Sequence, residues 1–114
     1  MSNSMKKKFF KELPQVESFM AAQSVEVNTE YKDIVDGLER NGRLSMPNGE
    51  KVDASLFAIR VIQAGNVRIF YVYGIGSNIY GIHAYDKKMQ QIPGKELDLA
   101  HKAIKILRKG GRVK

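Results

Sequence analysis

Six side chains able to bind or cleave a phosphate ester fall in one stretch of the chain: Arg60, Arg68, His83, Tyr85, Lys87 and Lys88. Arginine and lysine bind phosphate oxygens, whereas histidine and tyrosine can transfer protons. Each also has an ordinary structural interpretation, as a solvated strand residue, a core ring or a polar corner. Phosphate chemistry is favoured only if the fold brings these side chains to one surface.

The composition limits the partners and the compartment. Nineteen Lys and Arg against twelve Asp and Glu give a net charge of +7, which favours a polyanionic partner but also serves solubility. Cysteine is absent, so the sequence excludes a disulfide framework and thiol catalysis and is typical of the cytoplasm. With two histidines and no cysteine, no metal and no cofactor is predicted. No apolar run approaches the roughly 18 residues of a membrane span, so no membrane association is expected.

The first half of the chain is predicted to contain a strand and two helices. Its length of 114 residues predicts a single domain over 1–114. A short edge strand is predicted within Lys6–Lys11, and Pro14 suits the first turn of a helix. Asn28 is predicted to cap a second helix that ends at Asn41-Gly42. Leu44–Glu50, with its proline and Asn-Gly pair, predicts a loop.

The second half is predicted to be an antiparallel meander followed by a helix. Alternation of period two predicts strands at Leu56–Ile62, Val67–Tyr73 and Ile79–Tyr85. After Pro93-Gly94, an amphipathic pattern predicts a last helix at Lys95–Lys109. The order is β-α-α-β-β-β-α, which defines an α+β fold with a small, antiparallel-dominated sheet.

Short hairpin loops place the basic residues on one face of this sheet. A three-residue loop pairs Arg60 with Arg68, and a four-residue loop pairs Arg68 with His83. Alternation then puts these residues and Tyr85 on one face. The other face, which includes Tyr80 and Ile82, is predicted to pack beneath the helices. The basic face of these three strands has no carboxylate, so we expect the guanidinium of Arg68 to be free and an anionic ligand to relieve its repulsion from Arg60.

A family resemblance covers Leu56 to Leu107. The segments "LFAIRVIQAGNVRIFYVY" and "IYGIHAYDKKMQQIPGKELDLAHKAI" contain an arginine near a strand end, an arginine opening the next strand, an aromatic-x-Lys-Lys corner, a proline and a terminal amphipathic helix. In this order the features resemble the RelE/ParE superfamily of bacterial type II toxins, in particular its HigB-like and phage-related branch. The resemblance implies a RelE-like fold and a ribosome-dependent mRNA endoribonuclease, or mRNA interferase.

The implied reaction is attack of a 2′-hydroxyl on the adjacent phosphorus without a metal. It makes Arg68 the leading phosphate clamp and leaves the general acid and base open between His83 and Tyr85. Tyr85 would need a lowered pKa to act as a base. The expected catalytic residues are Arg68, His83, Tyr85 and Lys88, and the expected RNA-phosphate ligands are Arg60 and Lys87.

The resemblance also implies partners: mRNA, the ribosome and a cognate helix-turn-helix antitoxin that places acidic residues or a helix over the arginine face or the flanking helices. Two alternatives remain open on the residues alone. A ParE-like relative would inhibit DNA gyrase, and a basic, phage-derived RNA-binding module would need the charge but no catalytic residues.

Overall fold

The computed structural model describes residues 5–114, so the first four residues of the predicted 1–114 domain lie outside the described residues. The elements are β1 (Phe9–Glu12), α1 (Pro14–Ala21), α2 (Val25–Asn41), β2 (Gly49–Lys51), β3 (Phe57–Val61), β4 (Val67–Tyr73), β5 (Asn78–Asp86) and α3 (Gly94–Lys109). One sheet contains all five strands in the order β1-β5-β4-β3-β2. The α+β class and the predicted order are confirmed, with β2 as an added strand. In the described part of the chain, no helix has the length and apolar composition needed to cross a bilayer.

The first helices confirm most of the predicted boundaries. β1 is an edge strand that runs parallel to β5, and Pro14 opens α1. The prediction of Asn28 as the cap of α2 was wrong, because Ser24 lies one turn earlier and its Oγ accepts from the Val27 N–H at 3.1 Å. Gly42 ends α2 as predicted, with a left-handed φ of 80°.

The short strand β2 lies where the sequence predicted a loop. It pairs antiparallel with β3, with Gly49 opposite Ile59 and Glu50 opposite Ala58. At three residues, the strand is too short to show alternation, and the preceding turn residues dominate the pattern. Gly49 is required for close packing, since a Cβ there would collide with the Cβ of Leu44. This strand brings Glu50 to the edge of the meander.

The two hairpins differ in how well their register was predicted. Arg60 lies opposite Arg68, as expected. On the other side, however, Arg68 lies opposite Tyr85, and His83 lies opposite Phe70. The predicted pairing of Arg68 with His83 was wrong because the turn closes on Tyr73 and Ile79 and because a bulge then shifts the register between Phe70 and Tyr71.

Helices cover both faces of the sheet. α1 and α2 pack on a core that contains Ile59, Ile69 and Tyr71, whereas α3 packs on a core that contains Phe70, Ile82 and Tyr85. The prediction that the basic face stays open while the other face packs under the helices was therefore wrong for α3. Because the turn closes on Ile79 and not on Asn78, the alternation of β5 turns Tyr80 and Ile82 to the α3 face. The bulge then reverses the alternation and returns Ala84 to the opposite core.

Glu30 of α2 holds the β3–β4 loop that sets the Arg60–Arg68 pairing. Its carboxylate accepts the backbone N–H groups of Ile62 at 3.0 Å, Gln63 at 3.1 Å and Ala64 at 2.7 Å. Partial burial opposes the charged form, but these donors outweigh it and lower the pKa of Glu30 below its ordinary value of 4.5. The second helix thus fixes the hairpin that carries both arginines.

We expect Glu30→Gln to lower the free energy of unfolding at neutral pH. In the variant, that free energy should also decrease less as the pH is lowered. A carboxylate with a lowered folded-state pKa stabilises the fold above the unfolded pKa, and the stabilisation is lost as the pH falls through the folded pKa. The loss therefore lies below about pH 4.5. Urea denaturation between pH 7 and pH 3 measures it. Glu17→Gln, which removes the same charge from an exposed position of α1, is the control, and equal changes in both variants would contradict the prediction.

Candidate functional site

A row of three polar side chains crosses three neighbouring strands, and its β5 end lies near Glu96 at the start of α3. Arg60 of β3 lies opposite Arg68 of β4, which in turn lies opposite Tyr85 of β5. Each has one buried polar atom that finds no hydrogen-bond partner among residues 5–114: Nε of Arg60, Nε of Arg68 and the hydroxyl of Tyr85. Buried donors are nearly always paired in folded proteins, so three unpaired ones in one row make this part of the sheet the candidate site. We call these residues the donor row.

Arg68 is buried and paired with a carboxylate. The residue is 4% exposed, and its Nη1 donates to Oε1 of Glu50 at 2.5 Å. The prediction of a free guanidinium was wrong, because β2 places Glu50 beside it. Repulsion between Arg60 and Arg68 is therefore partly relieved within the chain, and unpaired charge at Arg68 no longer supports anion binding. The support now comes from the remaining donors of the row.

The turn before β2 orients Arg60. Its Nη1 donates to the carbonyl oxygen of Pro47 at 3.2 Å, and its backbone N–H donates to the carbonyl oxygen of Asn48 at 2.8 Å. Unlike Arg68, its side chain forms no ion pair within the described residues. Arg60 therefore retains its full positive charge beside the compensated guanidinium of Arg68.

His83 is held by the first turn of α3. Its Nε2 lies 2.6 Å from Oε1 of Glu96, and the two side chains are 14% and 20% exposed. The imidazole also stacks on the ring of Tyr85, with centroids 6.1 Å apart and planes 20° from parallel. His83 is therefore displaced from its predicted position opposite Arg68 but lies next to the end of the donor row.

The hydroxyl of Tyr85 is a donor rather than a base. Burial raises the pKa of Tyr85; Arg68 lowers it in part, and Glu96 and Glu50 add to the increase. The lowered pKa required for a basic role is thus not found. At neutral pH the neutral hydroxyl is available to donate a hydrogen bond to a phosphate oxygen.

The two lysines of the corner lie at the rim. The backbone N–H of Lys87 donates to the carbonyl oxygen of Asn66 at 2.7 Å, which ties the corner to the β3–β4 loop. The side chain of Lys87 is half-buried and that of Lys88 is exposed. Neither ammonium group forms an ion pair within residues 5–114, so both are available to an anion from outside.

Two carboxylates, Glu50 and Glu96, were missed as site residues. Glu50 belongs to β2, the short strand in a segment whose turn residues predicted a loop. Glu96 follows Pro93 in the first turn of a helix, where a carboxylate is expected for its effect on the helix dipole, so nothing distinguished it. With both included, the site contains paired acids and bases. Within the described part of the chain, no group of three or more His, Asp or Glu side chains is placed to hold a metal ion.

The fold and this site identify an α+β domain whose last helix begins over a row of cationic and phenolic donors. The chain belongs to the family described as Phage derived protein Gp49-like (DUF891), whose model matches residues 8–105. That range begins just before β1 and ends within α3, so it includes every site residue. No curated protein matches the chain.

We expect Arg68 and Glu50 to be energetically coupled. Arg68→Ala should destabilise the fold by about 1–3 kcal/mol, because it leaves a partly buried carboxylate without its charged donor. Glu50→Ala should cost a similar amount, and the double variant should cost clearly less than the sum. Urea denaturation of the four proteins measures the coupling free energy. Lys88→Ala, at the rim, serves as the control and should be close to neutral; strictly additive effects of Arg68→Ala and Glu50→Ala would refute the pairing.

Proposed function

We propose that residues 1–114 form a single toxin domain of a type II toxin-antitoxin system, in the HigB-like branch of the RelE/ParE superfamily, and that it cleaves mRNA on the ribosome. Membership in the Gp49-like, phage-derived family supports this proposal. The observation that carries it is the donor row, in which three adjacent strands each present a buried donor without a partner among the described residues.

The donor row supplies the phosphate-binding groups. Nonbridging phosphate oxygens accept hydrogen bonds from Nε of Arg60, Nε of Arg68 and the hydroxyl of Tyr85. Negative charge builds up on these oxygens as the 2′-hydroxyl attacks, so fixed donors stabilise the transition state more than the ground state. The guanidinium of Arg68 is held by Glu50 and buried, and it therefore needs little reorganisation when the charge develops.

Glu50 and His83 can move the two protons that the reaction requires. The carboxylate of Glu50 is one-third exposed, and its Oε1 is bound to Arg68, which leaves Oε2 to take the proton of the 2′-hydroxyl. The 2′-oxygen bonds to phosphorus as the bond to the 5′-oxygen breaks. Protonated His83 then donates to that leaving oxygen, and the products are a 2′,3′-cyclic phosphate and a free 5′-hydroxyl. Glu96 holds the imidazole in place for this transfer.

The remaining residues contribute to binding the flanking RNA. Lys87 and Lys88 lie at the exposed corner after β5, where ammonium groups can neutralise phosphates on either side of the cleaved bond. In this scheme Lys88 is a binding residue rather than a catalytic one. Because α3 covers most of this face of the sheet, we assign the positioning of mRNA to the ribosome.

The proposed partner in the cell is a helix-turn-helix antitoxin. Because Glu50 already neutralises Arg68, the antitoxin does not need to supply a carboxylate there. It can inhibit by covering the corner at Lys87-Lys88 and the start of α3, where the entrance to the site lies. Coexpression with such a partner should restore the growth of cells that produce this chain.

We expect the purified protein to cut mRNA bound to ribosomes and to leave 2′,3′-cyclic phosphate ends. His83→Gln should reduce the cleavage rate by about 10²–10⁴-fold, the usual contribution of a general acid or base. Primer extension on programmed ribosomes measures the cut sites. The 3′ ends are identified by their resistance to ligation until the cyclic phosphate has been opened and the resulting phosphomonoester removed.

The chain offers a matched control in its second histidine. His101 of α3 also pairs with a carboxylate, with Nε2 3.1 Å from Oδ2 of Asp53, but it lies outside the site. His101→Gln should cut at the wild-type rate. Intact mRNA together with loss of DNA supercoiling would instead indicate gyrase inhibition, and RNA binding without cleavage by the wild-type protein would indicate a non-catalytic module.

A further inference from the structure

The formal charges are segregated across the sheet. On one face, α1 and α2 carry six carboxylates against Lys32 and Arg40, a net charge of −4. On the other face, α3 and the residues after it, 94–114, carry seven Lys and Arg against Glu96 and Asp98, a net charge of +5. Among the helices, the positive charge is thus concentrated on α3, which favours contact with polyanions.

The outer face of α3 is a nearly continuous line of lysines. The buried stripe of this helix is Ala100, Ala103, Ile104 and Leu107. At 100° per residue, the positions directly opposite are Lys95, Asp98, Lys102, Lys105 and Lys109, all of which are exposed. None of these four lysines forms an ion pair in the described part of the chain. We call them the lysine line.

The lysine line continues from the candidate site. Lys95 precedes Glu96, the residue that contacts His83, so the line starts at the entrance to the site. From Lys95 to Lys109 the helix rises about 21 Å, at 1.5 Å per residue. Any RNA strand or helix that lies along this line therefore has one end next to the cleavage site.

The line has charge but no surface for stacking bases. Neither Phe, Tyr nor Trp occurs in α3, and the five positions opposite the buried stripe include no aromatic or apolar residue. The ring of His101 lies off the line and pairs with Asp53, and the exposed Leu99 and Ile106 lie to one side. Proteins that hold single-stranded RNA generally stack bases on aromatic rings, and protein interfaces generally have an apolar core. A convex line of ammonium groups instead suits the phosphates of double-helical RNA, which is recognised by its shape and backbone.

We propose that the lysine line is a docking surface for double-helical RNA, separate from the donor row that receives the cleaved strand. This inference rests on the proposed function in one respect: it gives that activity a second RNA-binding surface, for a duplex that lies beside the single-stranded substrate. Cleavage then depends on both surfaces, which would restrict it to mRNA held next to an RNA helix, as it is in a ribosome.

Binding to a short RNA hairpin tests the docking surface without any cleavage. The probe is a fluorescein-labelled hairpin with a 12-base-pair stem, and its dissociation constant is measured by fluorescence anisotropy from 50 to 300 mM NaCl. Lys102→Gln/Lys105→Gln/Lys109→Gln should weaken binding and reduce the slope of log K against log salt by about 2–3, close to one for each phosphate that is no longer neutralised.

The control variant removes the same charge elsewhere. Lys7→Gln/Lys11→Gln/Lys32→Gln changes three exposed lysines on the β1 and α2 side and should leave the slope within about 0.5 of the wild type, since these lysines lie outside the docking surface. A similar loss of affinity in both triple variants would overturn the proposal, because it would show a response to net charge alone. Stronger binding of an unpaired strand of the same length, or equal competition by polyglutamate, would also overturn it, in favour of single-stranded RNA or an acidic protein.

Failure of this inference can be told apart from failure of the proposed function. His83→Gln should bind the hairpin as the wild type does, because His83 lies outside the lysine line. The α3 triple variant should cut ribosome-bound mRNA at least tenfold more slowly at 150 mM salt. Equal cleavage of mRNA by the wild type and the α3 triple variant would overturn the docking surface and leave the catalytic proposal intact. If the wild-type protein binds the hairpin through the lysine line but never cuts RNA, the docking surface stands and the catalytic proposal is overturned.

Discussion

A buried guanidinium is the constraint on which the site depends. Arg68 lies at the second position of a central strand and is 4% exposed, where an uncompensated charge would cost several kcal/mol. The fold meets this cost by adding β2 at the sheet edge, which brings Glu50 to Nη1 of Arg68. The compensation is partial, since Nε of Arg68 remains without a partner in the described chain. A central position of the sheet is thus occupied by a charge that keeps one donor without a partner among the described residues.

The two-sided sheet explains why the site is not an open face. α3 buries Phe70, Ile82 and Tyr85 through the middle and end of its length. In its first turn, Lys95 is exposed and Glu96 reaches His83, while Leu97 packs against the core. The segment between β5 and α3, residues 87–93, forms no helix or strand. His83 and Tyr85 therefore lie beside the start of the same helix that closes this core.

The sequence was informative wherever a local rule operated over several residues. Pro14 predicted the start of α1, Gly42 the end of α2, and the three-residue loop the pairing of Arg60 with Arg68. Prediction from the sequence failed where a single inserted residue or a long-range contact determined the structure. The turn closure on Ile79 and the bulge between Phe70 and Tyr71 together moved His83 from Arg68 to Phe70, and no local signal distinguishes such an insertion. Glu50 and Glu96 reach the site from elements that are distant in sequence, so their roles emerge only once the sheet order is known.

The two proposed RNA-binding surfaces divide binding from chemistry for an electrostatic reason. Glu50 pairs with Arg68 and Glu96 with His83, so Arg60 is the one cation of the cluster without a carboxylate partner among the described residues, and the cluster holds little uncompensated charge to attract RNA. It can nevertheless act on a bound phosphate, because its donors are fixed and buried and respond to charge that appears in the transition state. Attraction must then come from cations outside the cluster, and the unpaired lysines of α3 and of the corner are the nearest candidates among the described residues. An uncompensated arginine pair would bind any polyanion strongly in the ground state. A compensated cluster instead interacts most strongly with the reacting phosphate in the transition state. The cationic surface around the cluster then determines which RNA is bound.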